Sequence, residues 1–451
     1  MGPSALFWIA WAATVALCLT QIAYALIKAK NVLGLPVIAC GMWLYFNGYM
    51  AFVGAKGLSD LMPTWAMELS QGVALASLLA LLAGWYWQRR RISDAKPIQW
   101  TFTTCRSVWR AGLILFAVAL AGQYSFFGQS TIDYTNISNY WYLMFYIGYP
   151  AAGLCLLAII KSNTKRLLNK KLLLAALVLA LMWHHIFNAR RGPLFPMVIV
   201  LSYLPYLLVR RKPSKSVVIG ALAFAGVAML AFVPMRQFTY ASNSEAEWTT
   251  ADRLNGWGRG LRELTWSGIF VERQTRNSDN EFLYQCGAIG TIWQLKDYQY
   301  GTGYLELLIH WIPRQWWPDK PALQQGFFPS RWHEELPNVV GWNMSNGASY
   351  GGIANTFEQF GLLCPLFWYA LGWWAARLYR ASIRHADATR SMQYVGFLCA
   401  THWLVSQGFG AMFVPACYCI LVPTAVLAYV RRRYQRNAYA GPRNLVAPAL
   451  P

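Results

Sequence analysis

The sequence predicts an all-α integral membrane protein of about eleven transmembrane helices with one long segment outside the membrane. Three observations predict it. Apolar runs of about 20 residues recur from end to end, the length that crosses a hydrocarbon core of about 30 Å. Of 451 residues, 56% are hydrophobic and 13% charged, against about 25% charged in an ordinary soluble chain. The cations gather at every second break between the apolar runs.

The expected spans are, in order, 5–27, 33–54, 66–87, 107–123, 139–160, 172–188, 193–209, 217–235, 361–376, 391–407 and 411–430. The first lacks a basic n-region and an A-x-A cleavage site, so it reads as a retained span rather than a signal peptide. Basic clusters follow each odd-numbered span: Lys28 and Lys30, Arg89 to Arg91, Lys161 to Lys171, Arg210 to Lys215, Arg377 to Arg390, and Arg431 to Arg436. The positive-inside rule places these clusters in the cytoplasm. The inner side then holds 26 of the 39 Lys and Arg but only Asp94 and Asp387 among the 18 acids. The net charge of +21 is therefore mostly a topology signal, not the footprint of a nucleic-acid partner. The N-terminus is expected outside and the C-terminus inside. Three regions result: an N-terminal bundle over 1–235, a long outer segment over 236–360, and C-terminal spans with a basic tail over 361–451.

Cysteine adds little chemistry. Eight of nine lie in or beside the spans, and Cys286 stands alone in the outer segment, so no disulfide framework is encoded there. The chain carries no P-loop, GxGxxG, HExxH or EF-hand pattern. Without an ATPase module, any chemistry must draw on an already activated substrate or on a gradient.

The outer segment is far longer than an ordinary connection. Its first part, 241–255, is polar. Around 256–296 arginines alternate with aromatic residues, a pattern suited to helices. YLELLIHWI over 304–312 has one apolar face and suits an interfacial helix. IPRQWWPDKP over 312–321 follows, holding Arg314 and Lys320 six residues apart among three prolines and two tryptophans. Proline fixes φ and removes a donor, and tryptophan favours the membrane–water interface. The stretch reads as a stiff, cationic, aromatic lip. Residues 326–352, rich in Gly, Asn, Ser and Trp, have the composition of a glycan-facing loop.

Two further cationic features stand out. Arg259 and Arg262 are three apart within GWGRGLRELTW, on one helical face. Arg190 and Arg191 form the turn FNARRGPLF between the sixth and seventh spans, on the side where the orientation rule disfavours cations. Ionisable groups at membrane depth are functional candidates by default. Gly192 and Pro193 then start a helix whose N-terminus adds partial positive charge. Guanidinium grips phosphate through two parallel hydrogen bonds and stays charged.

In this order, ARRGP, GTGYLELL with IPRQWWPDKP, and FEQFG at 357–361 resemble the Wzy-type oligosaccharide repeat-unit (O-antigen) polymerases. The resemblance covers about residues 185–376; the N-terminal half is similar in hydropathy alone. Asn355 departs from it, standing where many relatives carry an acid. The family implies a GT-C-like glycosyltransferase of a bacterial inner membrane, with the outer segment periplasmic. Its substrate would be an oligosaccharide on undecaprenyl diphosphate, with membrane lipids around it and a chain-length regulator as partner. No nucleotide sugar, metal or other cofactor is implied.

On that reading a diphosphate leaving group needs its developing charge neutralised, which fixed cations in a dewatered pocket do well. Arg190, Arg191, Arg314 and Lys320 are the first-ranked diphosphate ligands, and Arg259 and Arg262 the second. The acceptor hydroxyl needs a base or hydrogen-bond acceptor. Glu358 and His333 rank above Glu334 and Asp319. His184 and His185, one turn before Arg190, read as interfacial or buried structural residues. A ligase passing the glycan to another acceptor remains an alternative, as does a lipid-linked glycan transporter or a polymer-binding scaffold.

Overall fold

A computed structural model describes residues 3–28, 34–57, 61–88, 100–124, 143–162, 167–187, 191–209, 255, 258–259, 262, 280–305, 312, 316–317, 319, 331–341, 349–385 and 387–439. Among them every regular element is helical. The helices are α1 (Ala5–Lys28), α2 (Leu35–Trp43), α3 (Met50–Gly57), α4 (Thr64–Trp87), α5 (Phe102–Tyr124), α6 (Gly148–Lys161), α7 (Leu167–Phe187), α8 (Arg191–Val209), α9 (Glu281–Leu295), α10 (Trp332–Val340), α11 (Gly351–Phe360), α12 (Cys364–His385), α13 (Ala388–Gln407), α14 (Phe409–Ala416) and α15 (Val422–Tyr439). π-helical turns, Leu44–Tyr49 and Cys417–Leu421, join α2 to α3 and α14 to α15.

Among the described residues, seven stretches are long and apolar enough to cross a membrane: Ala5–Ile27, Leu35–Lys56, Thr64–Trp87, Thr103–Tyr124, Met144–Lys161, Gly192–Val209 and Phe409–Tyr434. The expected spans at 172–188, 361–376 and 391–407 fall on α7, α12 and α13, which are helices outside those seven. The expected span at 217–235 lies outside the described residues. Large apolar side chains point outward along several helices, among them Leu6, Ile9, Leu19 and Ile27 on α1 and Leu168, Leu172 and Leu179 on α7. In water such a surface would be an aggregation liability; against lipid tails it is the ordinary solution. The chain is thus a multi-pass, all-α membrane protein.

Glycine sets the crossing of α4 and α12. A Cβ on Gly84 of α4 would run into the Tyr369 carbonyl of α12, and one on Gly372 of α12 into the Leu81 carbonyl of α4. Lipid offers little hydrophobic drive between helices, so close backbone approach through small residues supplies the packing. The two helices run parallel but out of step. Ser77, midway along α4, meets Cys364 at the start of α12 (Oγ–Sγ 3.8 Å), and Trp85 meets Tyr379 further along (centroids 5.2 Å). Ser77 is about 20 Å from the start of α4 at 1.5 Å per residue. The helix expected at 361–376 accordingly begins alongside the middle of α4, and it continues past Arg377 and Arg380 to His385.

The space beside the first half of α4 is filled instead by helices from the long segment, α9 and α11. From Phe282 to Ile292 every residue of α9 is buried. Polar side chains seat it. Asn280 caps α9, its Oδ1 accepting from Phe282 and Leu283 N–H, while its Nδ2 donates to the Met50 carbonyl (2.9 Å). Gln285 Nε2 donates to Asn47 Oδ1 (3.0 Å) and Ser70 Oγ (2.9 Å). The π-helical turn disturbs the ordinary backbone ladder, and side chains take up its carbonyls: Trp11 Nε1 donates to Gly48 O (2.8 Å) and Gln71 Nε2 to Asn47 O (3.3 Å).

Candidate functional site

The site is built around Glu358, near the end of α11. Gly361 follows with φ +54°, a left-handed conformation that breaks the helix before α12. The chain reverses there at the depth of mid-α4, where irregular backbone is tolerated only if protein or a cavity satisfies it. The segment 297–303 supplies partners. Gln299 N donates to the Glu358 carbonyl (2.9 Å), and Gly303 N donates to Gln359 Oε1 (3.2 Å).

Glu358 is 6% exposed. Trp332 Nε1 donates to its Oε1 (2.9 Å), and the Tyr350 hydroxyl lies 3.4 Å from its Oε2. Trp332 is fully buried as the first residue of α10. Asp297 places that helix start, its Oδ2 accepting from Arg331 N (2.7 Å) and Trp332 N (3.0 Å). Carboxylates at helix starts satisfy orphan donors and complement the helix dipole. His333 lies flat on Trp332 (centroids 3.6 Å, 27°) and edge-on to Tyr350 (5.9 Å). Desolvation against these rings lowers the His333 pKa, with Asp297 opposing. The imidazole is thereby biased toward its neutral, proton-accepting form. Tyr350 moves the other way: burial, then the Glu358 charge, raises its phenol far above the ordinary range.

Glu358 and His333, separate in sequence, are thus held within one cluster by Trp332 and Tyr350. His333 keeps an exposed edge; Glu334, next to it on α10, is exposed, as is Asp319. Asn355, one turn before Glu358, accepts a hydrogen bond from Phe409 N (2.9 Å) and holds the turn at Gly408, whose φ is +100°. The amide oxygen thus does the work an acid at this position would do as an acceptor.

The start of α8 approaches the same end of the bundle. A Cβ on Gly192 would sit 3.2 Å from the Trp403 ring of α13, and one on Gly352 would strike the Leu404 carbonyl. Phe195 stacks on His402 (4.6 Å, 29°). The starts of α8 and α11 therefore lean on adjacent residues of α13. Arg191 begins α8; its side chain, together with Arg190, Arg314 and Lys320, lies outside the described residues. Arg259 and Arg262 are exposed. His185 is fully buried beside Phe145 (4.5 Å); the side chain of His184 lies outside the described residues.

Sequence reasoning passed over Trp332, Tyr350 and Asp297. Asp297 alone left a trace, as an acid just beyond the apolar run that forms α9. Trp332 and Tyr350 sit in stretches without periodicity, and only the fold brings them to Glu358.

Comparison with known protein families, curated proteins and solved structures finds no match to this chain.

Proposed function

We propose that the chain is a membrane glycosyltransferase that polymerises undecaprenyl-diphosphate-linked oligosaccharide repeat units at the periplasmic face of a bacterial inner membrane. The observation that carries this reading is the buried Glu358 carboxylate. It is fixed by an indole N–H on one oxygen and faces a phenol on the other, at a helix break set deep beside α4. A carboxylate so placed is suited to take a proton from an acceptor hydroxyl, with the neutral His333 at hand.

The leaving diphosphate is assigned first to Arg190, Arg191, Arg314 and Lys320, and second to Arg259 and Arg262. The α8 turn and α11 share the end of α13, which supports a donor phosphate and an acceptor hydroxyl meeting there. No general acid is needed if those cations neutralise the departing charge; losing one such donor costs about 2.7–4 kcal/mol of barrier. About eleven spans, a GT-C-like arrangement, an outer N-terminus and an inner C-terminus belong to the same proposal. A chain-length regulator is its expected partner.

The test is a deletion in the host cell, complemented with variants. Loss of the chain is expected to leave one repeat unit on the surface lipid, whereas a ligase would leave none. Arg191→Ala and Arg314→Ala are each expected to insert normally yet yield no long polymer. Wild-type ladders from both would overturn the cation assignment.

The break at Gly361 favours a second reading, translocation of a lipid-linked glycan, because transporters place substrate sites at discontinuous helices. Movement of the lipid between leaflets of a liposome without lengthening of its glycan would select it.

A further inference from the structure

Tyr304 belongs to GTGYLELL and sits beyond the site residues already named. The chain delivers it through a tight turn, in which Thr302 N donates to Gln299 O (3.0 Å). Tyr300 and Gly301 are both left-handed there, with φ of +50° and +85°. A left-handed tyrosine is strained, and such strain persists only where the surroundings over-determine it. Here the surroundings are the hydrogen bonds from Gln299 and Gly303 to the Glu358–Gln359 segment. Tyr304 follows directly. Its ring stacks on Phe409 (4.1 Å, 29°) and meets Phe360 (5.6 Å) and Phe367 (5.9 Å) at their edges or tilted. Phe409 is the residue whose N–H bonds Asn355, one turn from Glu358.

The Tyr304 hydroxyl is buried and has no hydrogen-bond partner among the described residues. Buried hydroxyls are nearly always paired, so a lone one calls for an explanation. Three aromatic rings, Phe360, Phe367 and Phe409, pack around the Tyr304 ring. Its surroundings point to the substrate as the missing partner. Glu358 and Tyr350 are close enough to act on it electrostatically.

We propose that Tyr304 determines specificity: its hydroxyl donates a hydrogen bond to a sugar hydroxyl adjacent to the one that faces Glu358, and so selects which acceptor hydroxyl is glycosylated. Two fixed groups, a carboxylate and a phenol, read two neighbouring hydroxyls of one ring and orient it. Sites built to hydrogen-bond a substrate hydroxyl discriminate strongly, because the mispaired alternative leaves a buried polar group unmet. Burial, and then the Glu358 charge, hold the phenol protonated and able to donate throughout the working pH range. This inference rests on the reading of Glu358 as the acceptor-side base.

The test compares full-length wild type, Tyr304→Phe and Glu358→Gln in liposomes carrying lipid-linked repeat units extracted from the host. Tyr304→Phe is expected to lose about 10- to 100-fold in kcat/KM, the cost of one to two fold-decades for a lost substrate hydrogen bond. Its product is expected to contain linkages absent from the wild-type polymer. Its thermal midpoint in detergent is expected to equal or exceed the wild type, since the hydroxyl bonds no other described residue. Unchanged kcat/KM and linkage, or a loss of rate with unchanged linkage and a lowered midpoint, would overturn the proposal. Full activity of Glu358→Gln would instead overturn the reading of the base, leaving the two failures distinct.

Discussion

Glu358→Gln separates the chemistry of the carboxylate from its structural role. The amide is isosteric, so its oxygen still accepts from Trp332 Nε1, now 2.9 Å from the carboxylate, and the Tyr350 hydroxyl can accept from the new NH2. A hydrogen bond to a charged group contributes about 1.5–3 kcal/mol and a neutral one about 0.5–1.5. Two such exchanges cost about 2–3 kcal/mol, offset by no longer burying an ionised group. The fold is therefore expected to survive with its thermal midpoint nearly unchanged. Catalysis is not. A positioned base contributes about 10²- to 10⁴-fold, equivalent to about 2.7–5.4 kcal/mol of barrier. The assay is the initial rate of glycan lengthening in proteoliposomes, read beside the melting curve. Glu358→Ala is a poorer probe, because it strands the buried Trp332 N–H at about 1–3 kcal/mol. A Glu358→Gln protein that melts like wild type and works within tenfold of its rate would refute the assignment.

Other expectations follow from the same geometry. Because desolvation lowers the His333 pKa, the ring is neutral at pH 7 and gains its proton only below the ordinary value of about 6.5. The lengthening rate is expected to fall as pH drops through that region, and His333→Gln to remove this part of the acid limb; superimposable profiles would contradict it. The same sign applies to stability: the fold disfavours the charged ring, so the His333 contribution is lost on acidification. Gly352→Val, forced against the Leu404 carbonyl, is expected to lose about 1–3 kcal/mol or more, seen as a lower melting midpoint. Gly72→Ala meets nothing within 4 Å and is expected to hold or gain stability, by up to about 1 kcal/mol.

The helices were legible where lipid imposes one requirement on a long run of residues. Ala5–Lys28 and Thr64–Trp87 follow directly from hydropathy. The start of α9 was also written locally, in Asn280 as cap and Glu281 in the first turn. The depth of α12 was not. It depends on Gly84 and Gly372 interlocking two helices far apart in the chain, and neither glycine is distinctive by itself. The burial of α9 was equally hidden, since Gln285 looks like a surface residue until Asn47 and Ser70 are found beside it. Within the site, Glu358 was visible as the carboxylate of FEQFG, a residue type that can serve as a base. Trp332 and Tyr350 gain their meaning only from a carboxylate 26 and 8 positions away.

The central claim is that this chain joins one lipid-linked glycan to another. Its most direct test is purified protein in liposomes with undecaprenyl-diphosphate-linked repeat units and no other enzyme. The account predicts a ladder of products, each longer by one repeat unit, with release of undecaprenyl diphosphate for each bond formed. Repeat units that stay single in the presence of folded protein would contradict it.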